Sequence, residues 1–296
     1  MGVDAGGTKI EAARVSGGEI EAVERLATPG GSSGSVLDAV TEAIAAVHRP
    51  GLPIGVAIAG QIDRRHGVMV SSPNLPGRRV PLGAALGDRF GVFVLVDNDV
   101  TLAALGELPS MDRVPDVLTA LYLGTGIGAG VVIGGVPLSG AHNLAAEAGH
   151  ATFRAGGELC SCGRDGCFEA YAGGLSIVRR ARTLRRQLGR SSDDLTGASA
   201  VARAAGRGDP ACVAVWNEAL EAILTLAWDL TVLFDPDVFV LGGGVAAAIP
   251  ELDGMVARHL TAQAWSGYAA PRVVPAHEEA ALIGAALSAW QLAQEP

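Results

Sequence analysis

The sequence has little positive charge and no long basic run. Its 296 residues include 22 Lys and Arg against 31 Asp and Glu, for a formal net charge of −9 at pH 7. Nucleic-acid surfaces need a basic patch or stripe. The densest basic stretch here, residues 178–190, has the pattern of a solvated helix face instead. We therefore expect no nucleic-acid partner.

Long apolar runs are also missing. No stretch reaches the roughly 18 consecutive apolar residues of a membrane-spanning helix, and the run at 224–234 is interrupted by Asp229, which predicts a buried helix. The N-terminal MGVDAGGTKI lacks the charged segment and apolar core of a secretory signal. These absences predict a cytoplasmic protein without membrane association.

Cysteine is scarce and unevenly distributed, because three of the four cysteines are Cys160, Cys162 and Cys167. A reducing cytoplasm disfavours a disulfide, and the spacing does not fit a C-x-x-C redox motif. With His150 upstream, the set becomes one His and three Cys, which is typical of a closed tetrahedral zinc site. Thiolates select Zn²⁺ over Mg²⁺ or Ca²⁺. We predict structural zinc here and interpret Cys212 as a small buried residue.

The length suits two domains, and 49% hydrophobic residues allow a sizeable core. Strands alternate with helices, which predicts an α/β protein with a mainly parallel sheet. In the first half we predict strands at 10–15, 20–27, 53–60 and 92–99 and helices at 34–49, 81–91 and 100–108. The second half is predicted to contain strand–turn–strand at 117–135, helices at 175–188, 196–206 and 211–234, strand–turn–helix at 237–246, and a closing helix at 278–294. Each half opens with a hairpin rich in Gly and Thr, and residues 109–116 are the predicted hinge.

The first glycine-rich turn is DAGGTK, residues 4–9. Gly6 and Gly7 lack Cβ atoms, so backbone N–H groups can come close to an anion. Thr8 adds a hydroxyl and Lys9 a cation, while Asp4 can hold Mg²⁺ directly or through water. A phosphate cradle and an ordinary hairpin turn both fit this segment taken alone.

Two further turns repeat this chemistry. Gly124, Thr125 and Gly126 follow a strand, but another strand comes next, so the dinucleotide-binding pattern lacks its required helix. Gly242 and Gly243 stand between a strand and a helix, where either an adenine ring or tight packing explains them. Taken together, the three turns predict a nucleotide triphosphate clamped between two lobes.

Polar residues end one apolar strand. Asp97, Asn98 and Asp99 lie where α/β proteins place ligands, and a carboxylate there can accept a proton from an attacking hydroxyl. Asp97 or Asp99 can equally cap helix 100–108, so we predict capping for part of the set and base catalysis for one member. Glu147 lies three residues before His150, on one side if that stretch is helical.

These motifs resemble the ROK family of sugar kinases, most closely its bacterial glucokinase-like members, along essentially the whole chain. The resemblance rests on DAGGTK at 4–9, SSPNLPG at 71–77, DNDVTLAALGE at 97–107, LGTGIGAG at 123–130, EAGH at 147–150, CSCGRDGCFEAYAGG at 160–174 and LGGGVA at 241–246. It implies an α/β fold of the two-lobed actin-like ATPase class (sugar-kinase/Hsp70 type, ribonuclease H-like) with duplicated halves and a structural zinc site. Residues 1–110 and 280–296 would form the smaller lobe, and residues 111–279 the larger.

The resemblance also implies roles for single residues. Asp99 would be the base that deprotonates the sugar's 6-hydroxyl. Residues implied to bind the sugar are Asn74, Asn98, Asp99, Glu147, His150 and Glu169. Residues implied to bind ATP with Mg²⁺ are Asp4, Gly6, Gly7, Thr8, Lys9, Gly124, Thr125, Gly126, Gly242 and Gly243. The implied zinc ligands are His150, Cys160, Cys162 and Cys167.

The function implied is ATP-dependent phosphorylation of a hexose, with glucose as the leading substrate. The alternative is an N-acetylmannosamine or N-acetylglucosamine kinase on the same scaffold, and a third possibility is a non-catalytic sugar sensor. Some ROK relatives are repressors with a helix-turn-helix domain ahead of the kinase-like body. Only three residues precede Asp4 here, and the net charge is acidic, so DNA binding is not expected. Family members are often dimers or tetramers, which implies a homodimer or homotetramer.

Overall fold

The computed structural model describes residues 1–294, so residues 295 and 296 of the predicted smaller lobe lie outside the described residues. The chain divides into two units. Unit 1 contains Met1–Pro115, Gly130–Ala145 and the chain from His277 onward, and unit 2 contains Asp116–Ala129 and Ala146–Ala276. The first boundary falls within the predicted hinge. Residues 130–145, assigned to the larger lobe from sequence, belong to unit 1. The assignment of lobes stays a prediction.

The first half of the chain forms eight strands and three α-helices. The strands are β1 (Gly2–Ala5), β2 (Lys9–Ser16), β3 (Glu19–Ala27), β4 (Ile54–Ile58), β5 (Gln61–Asp63), β6 (Val68–Ser71), β7 (Arg78–Val80) and β8 (Val94–Asn98). The helices are α1 (Ser33–Val47), α2 (Leu82–Phe90) and α3 (Asp99–Gly106), and a 3₁₀ turn follows at Leu108–Ser110. Each predicted strand and helix of this half is present within a few residues of its expected position.

The second half, as far as residue 294, forms five strands and seven α-helices. The strands are β9 (Val117–Leu123), β10 (Ile127–Ile133), β11 (Val136–Pro137), β12 (Val238–Gly242) and β13 (Arg272–Pro275). The helices are α4 (Phe168–Ala172), α5 (Gly174–Gln187), α6 (Ala198–Gly206), α7 (Pro210–Phe234), α8 (Gly244–Ala247), α9 (Leu252–Gln263) and α10 (Ala280–Ala293). A 3₁₀ turn occupies Ala148–His150. The patterns did not predict α4, α9, β11 or β13.

The first sheet has the strand order β3-β2-β1-β4-β8. Strands β1, β4 and β8 are parallel, with Asp4 opposite Ala57 and Ala57 opposite Asp97. This register places the carboxyl ends of β1 and β8 at the same edge of the sheet, on either side of β4. Strands β2 and β3 are antiparallel to their neighbours. The sheet is therefore mixed, and the prediction of a mainly parallel sheet holds only for β1, β4 and β8.

The second sheet has the order β11-β10-β9-β12-β13, with β9, β12 and β13 parallel. Its order repeats that of the first sheet, because the strands of an opening hairpin are followed by two strands parallel to the first of them. A third, small sheet of β5, β6 and β7 was not predicted. Its strands have only three or four residues, too few for the alternation of apolar and polar positions to show.

Helix α7 has 25 residues and is, among the described residues, the one helix long and apolar enough to cross a membrane by length and composition. It contains Asp229 and packs against α4, α5, α6 and α9. Its inward residues, among them Ile223, Leu226 and Leu230, are buried in the core of unit 2. This is the packing of a core helix, in agreement with the prediction for 224–234. The absence of membrane association stays a prediction.

Candidate active site

The first sheet brings Asp4 and Asp99 close enough for their charges to interact. Asp4 lies near the end of β1, and Asp99 directly follows β8 at the same sheet edge. Burial, and next the negative charges of Asp99 and Glu11, raise the pKa of Asp4 to about 7 against the opposing charge of Lys9. Two carboxylates that interact at one edge of the sheet can provide oxygen ligands for a divalent cation.

The first glycine turn is braced by Thr28, which follows β3. The Thr28 hydroxyl donates to the Gly6 carbonyl at 2.6 Å, and its backbone N–H donates to the Thr8 carbonyl at 3.0 Å. A Cβ on Gly7 would lie 3.0 Å from the Cβ of Asn74. Glycine at this position therefore lets Asn74 lie directly against the turn, so two predicted binding elements are neighbours.

Lys9 begins β2, and its amine lies 2.5 Å from Glu11 Oε2. Glu11 also accepts from Arg25 Nε at 2.6 Å, so its buried carboxylate is shared between two cations. The Lys9 side chain is 61% exposed. Its charge remains accessible to a ligand while Glu11 restrains its position.

Helix α3 is capped by Asn98. The Oδ1 atom of Asn98 accepts from the backbone N–H groups of Val100 and Thr101, both at 3.0 Å. The prediction that part of the set Asp97, Asn98 and Asp99 caps this helix is confirmed, and the capping residue is Asn98, the last non-helical residue, not Asp97 or Asp99. Asp99 is instead the first residue of the helix. With Oδ1 occupied, the Asn98 amide can offer a ligand its N–H donors.

The second glycine turn is held by Glu169, the second residue of α4. Its Oε2 atom accepts from the backbone N–H of Ile127 at 2.9 Å, and its Oε1 atom accepts from the Ser161 hydroxyl at 3.0 Å. A Cβ on Gly126 would come within 2.3 Å of Glu169 Oε2. Gly126 therefore admits a carboxylate against the turn, a contact between distant residues that no local pattern reveals.

The N-terminus of α5 also meets this turn. Gly174 N–H donates to the Gly124 carbonyl at 2.9 Å, and Leu175 N–H donates to the Thr125 carbonyl at 3.1 Å. As predicted, β10 and not a helix follows the turn in sequence. Helix α5 still contacts the turn, because the chain returns to it some 50 residues later.

In the third glycine turn, Gly242 and Gly243 pack against β9 and Gly244 lines a cavity. A Cβ on Gly242 would lie 2.8 Å from the Tyr122 ring, and one on Gly243, where φ is +93°, 2.4 Å from the Leu123 carbonyl oxygen. Both glycines therefore permit tight packing on β9. Gly244 has no atom near its Cβ position and lines a cavity.

This cavity, of about 1010 Å³, lies within unit 2 and has the size of a small-molecule site. The glycine turns contribute Gly124, Thr125 and Gly244 to its lining. Apolar surface comes from Leu159, Leu175, Val178 and Val245. The lining also includes residues 196–199, Arg179 and Arg182, which no sequence motif indicated.

The interpretation of residues 178–190 as a solvated helix face is only partly right. Arg185 is buried, and its guanidinium pairs with Asp194 at 2.5 Å and with Asp209 at 3.4 Å. Arg180 pairs with Glu218 and lies over the Tyr171 ring. Their acidic and aromatic partners come from separate segments, so charge spacing along α5 alone could not show their burial.

His150, Cys160, Cys162 and Cys167 form the cluster predicted from their spacing. One ligand atom from each residue lies within 4.8 Å of the others. Cys160 Sγ is 3.7 Å from His150 Nδ1, and Cys162 Sγ is 3.7 Å from Cys167 Sγ. Ligands around tetrahedral zinc are roughly 3.7 Å apart, given metal–ligand distances of about 2.0–2.3 Å. The donor set and its spacing therefore fit Zn²⁺.

Thiol ionisation in this cluster is uneven. Burial, with the neighbouring Cys162 and Cys160, raises the pKa of the Cys167 thiol to about 12. Hydrogen bonds from the Arg164 backbone and the other two cysteines outweigh burial at Cys162, whose pKa is lowered. Two coordinating thiolates repel each other unless a cation lies between them.

Glu147 precedes the 3₁₀ turn that contains His150, and its side chain is exposed. The stretch is helical only from Ala148 to His150, so Glu147 flanks the helical turn and is not part of it. The predicted site residues divide between the two units. Unit 1 contains Asp4, Gly6, Gly7, Thr8, Lys9, Asn74, Asn98 and Asp99. Unit 2 contains Gly124, Thr125, Gly126, Glu147, His150, Cys160, Cys162, Cys167, Glu169, Gly242 and Gly243.

Comparison with known proteins gives the family. The ROK family model matches residues 1–292, and the chain belongs to the ROK family. It is 32% identical over 314 aligned positions to a glucokinase of Streptomyces coelicolor, covering 100% of this chain and 98% of the relative.

Solved structures agree. The chain is similar to a ROK family glucokinase from Streptomyces griseus in complex with glucose and AMPPNP, with a TM-score of 0.79, 32% identity and 98% of each chain covered. It is also similar to the ROK hexokinase from Thermus thermophilus, with a TM-score of 0.85, 33% identity, and 100% of this chain and 99% of that chain covered. These similarities run over whole chains, so both units share the family's architecture.

Proposed function

We propose that this ROK sugar kinase transfers the γ-phosphoryl group of ATP to the 6-hydroxyl of glucose, with Asp99 as general base. The observation that carries the proposal is the position of Asp99. It is the first residue of α3, beside the Asn98 cap, at the sheet edge that also ends in Asp4 and the first glycine turn. The glucokinase of Streptomyces coelicolor and the glucose complex of the Streptomyces griseus enzyme support the choice of sugar.

Phosphoryl transfer needs a base and a means of holding charge. In the proposed reaction the Asp99 carboxylate accepts the proton of the sugar hydroxyl as its oxygen attacks the γ-phosphorus. The bond from the γ-phosphorus to the bridging oxygen breaks, and ADP leaves with that electron pair. The N–H donors of Asn98 orient a sugar hydroxyl beside the base, and Asn74, Glu147, His150 and Glu169 are proposed to bind others.

The donor is proposed to use all three glycine turns. In unit 2 the cavity beside Gly124 and Thr125 has apolar walls that suit a nucleotide base, with Gly126, Gly242 and Gly243 shaping the turns around it. In unit 1 the turn of Gly6, Gly7 and Thr8 offers backbone N–H groups to phosphate, and Lys9 adds a positive charge. Asp4 would hold Mg²⁺, which neutralises phosphate charge when bound.

Zinc is proposed as structural. His150, Cys160, Cys162 and Cys167 would supply four ligands, which closes a tetrahedral site and leaves no position for a substrate. Because Nδ1 of His150 faces Cys160, Nε2 remains for a sugar hydroxyl. The ion would then fix the loop that carries His150 at one end and Glu169 at the other.

The wider proposal includes the two-lobed actin-like ATPase fold with the predicted lobes, a cytoplasmic location and a homodimer or homotetramer. An ADP-release assay over glucose, mannose, N-acetylmannosamine and N-acetylglucosamine tests the activity. We expect the highest kcat/KM with glucose. A preference for an acetamido sugar would establish the alternative kinase, and sugar binding without turnover would indicate a sensor. If none of the hexoses and N-acetylhexosamines is phosphorylated, the proposal is refuted.

A further inference from the structure

Asp97 is the buried centre of a polar network in unit 1. Its side chain is 0% exposed, although it lies directly before the two residues proposed to act on the sugar. Its Oδ2 atom accepts from Arg64 Nε at 2.7 Å. Its Oδ1 atom accepts from the backbone N–H of Asn98 and from Asn143 Nδ2, both at 2.8 Å. Three segments distant in sequence therefore meet at one carboxylate.

The chemistry of this network requires an acid at position 97. All three groups around the carboxylate are donors, and an ionised carboxylate only accepts. An asparagine there would turn its own N–H₂ toward either Arg64 or Asn143. A buried charge is retained at a cost that its partners must offset, and core packing alone would be served by an apolar residue. The carboxylate is thus matched to the orientation of its partners.

The network determines which way Asn143 points. Because Nδ2 donates to Asp97, the amide oxygen is left as an acceptor. That Oδ1 atom is buried and has no hydrogen-bond partner among the described residues. Asn143 also has a φ of +58°, a left-handed conformation that asparagine tolerates better than most residues. A buried amide oxygen without a donor is costly, so this atom is suited to receive a donor from a ligand.

Asn143 and Arg64 line the same cavity. It has a volume of about 710 Å³, lies in unit 1, and also includes Gln61 and Ser139 in its lining. The Arg64 charge is already balanced by Asp97, and the lining further contains one acid, Asp63, beside Arg65. The balance favours a neutral, polar ligand over an anion. A hydroxyl group can donate to Asn143 and accept from Arg64.

We propose that Asp97 is a positioning residue that orients Asn143 and Arg64 to bind a hydroxyl group of the sugar acceptor, so that Asn143 determines sugar specificity. This inference rests on the proposed function, because it takes a hexose as the ligand. It goes beyond that proposal by assigning a sugar contact to residues 64 and 143. Asp97 contacts no reacting atom and acts through these two side chains.

The test compares binding of glucose with binding of its 1-, 2-, 3- and 4-deoxy analogues by calorimetry without ATP. For the unaltered protein, we expect one or more analogues to bind roughly 10-fold or more weakly than glucose, because each lost hydroxyl leaves a protein group unpaired. Asn143→Ala should bind glucose weakly and lose the discrimination against one of these analogues, while discrimination against analogues that lack a hydroxyl bound by other residues is retained. Asp97→Asn should weaken glucose binding and discrimination to a smaller extent. Its KM for glucose should rise, while its kcat stays within about threefold of that of the unaltered protein.

Controls separate positioning from general damage. Asp88→Asn makes the same chemical change on the exposed face of α2 and should alter nothing. If Asp97→Asn does not fold, Asn143→Ala carries the test, since Asn143 is only half-buried. Unchanged discrimination among the analogues in a folded Asn143→Ala protein would overturn the inference while leaving the kinase proposal intact. Failure of the unaltered protein to bind any hexose would overturn both.

Discussion

Glu169 joins the predicted zinc loop to the second glycine turn. Its carboxylate accepts from Ile127 N–H at 2.9 Å on one oxygen and from the Ser161 hydroxyl at 3.0 Å on the other. Ser161 lies between two predicted zinc ligands, Cys160 and Cys162. The shape of the turn and the order of the cysteine loop thus depend on one side chain, so a change in either is expected to reach the other.

Gly126→Ala tests this arrangement, because its Cβ would come within 2.3 Å of Glu169 Oε2. The carboxylate must move and lose its bond to Ile127, a loss worth about 1.5–3 kcal/mol for a hydrogen bond to a charged group. We expect KM for ATP to rise roughly 10-fold and the melting temperature to fall by several degrees. Steady-state kinetics and thermal unfolding measure both.

Gly206→Ala is the matched control. Gly206 ends α6 and has no atom within 4 Å of its Cβ position. The Gly206→Ala variant should have the same kinetics as the unaltered protein. Normal kinetics in Gly126→Ala as well would show that the turn does not depend on Glu169.

Zinc removal is predicted to destabilise unit 2 and weaken substrate binding. The purified protein should contain about one zinc per chain by elemental analysis. A strong chelator, or Cys162→Ala, should lower the melting temperature and raise KM for the sugar, because metal binding contributes directly to folding. KM for ATP should rise with it, through Ser161 and Glu169.

Cys212→Ala provides the comparison for the zinc experiment. Cys212 is buried in α7 and is not a member of the His150–Cys160–Cys162–Cys167 group, so its loss should cost about 1 kcal/mol without changing metal content. Equal stability and kinetics with and without metal would contradict a structural role for zinc.

Asp209 is predicted to make stability depend on acid pH. Burial by itself would raise its pKa, but hydrogen bonds from Cys212 and the charge of Arg185 lower the pKa of Asp209 from 3.8 to about 2. A lowered pKa means that the folded state favours the ionised form, so this stabilisation is present above about pH 4 and is lost as pH falls toward 2.

Asp209→Asn keeps a good helix cap and removes the charge. At pH 7 we expect the free energy of unfolding to drop by about 1–2 kcal/mol. Urea unfolding at pH 7, 5 and 3 should show the same difference between variant and unaltered protein at the first two values and a smaller one at pH 3. A difference that grows at pH 3 would contradict the assignment.

Much of the fold follows from local pattern. The hairpins, the buried strands and the long helices each repeat apolar residues at the period of their structure, so β4, β8 and α7 appear near their predicted positions. Strands of three or four residues, such as β5 and β7, carry too few positions to show a period. Helix α9 buries Leu252, Val256 and Leu260 at a helical spacing of four residues, a pattern that was missed although the positions to show it are present.

The candidate site divides in a similar way. Spacing alone placed three cysteines and His150 together, since zinc ligands keep a characteristic order along a chain. A cap for α3 was predicted within the set Asp97, Asn98 and Asp99, but the sequence did not identify Asn98 as the capping residue, because Asp and Asn cap equally well. The contacts of Glu169 with Gly126 and of Asp97 with Asn143 join residues more than 40 positions apart, and no local pattern contains them.

The rate of ADP release with glucose, compared between the unaltered protein and Asp99→Asn, tests the central claim most directly. Asparagine keeps the shape of the side chain but cannot accept the proton, so we expect kcat to fall by about 10²–10⁴-fold, the range for a lost general base, while the glucose dissociation constant changes little. Asp88→Asn should retain full kcat. Full activity in Asp99→Asn, or no turnover of glucose by the unaltered protein, would contradict the proposed reaction.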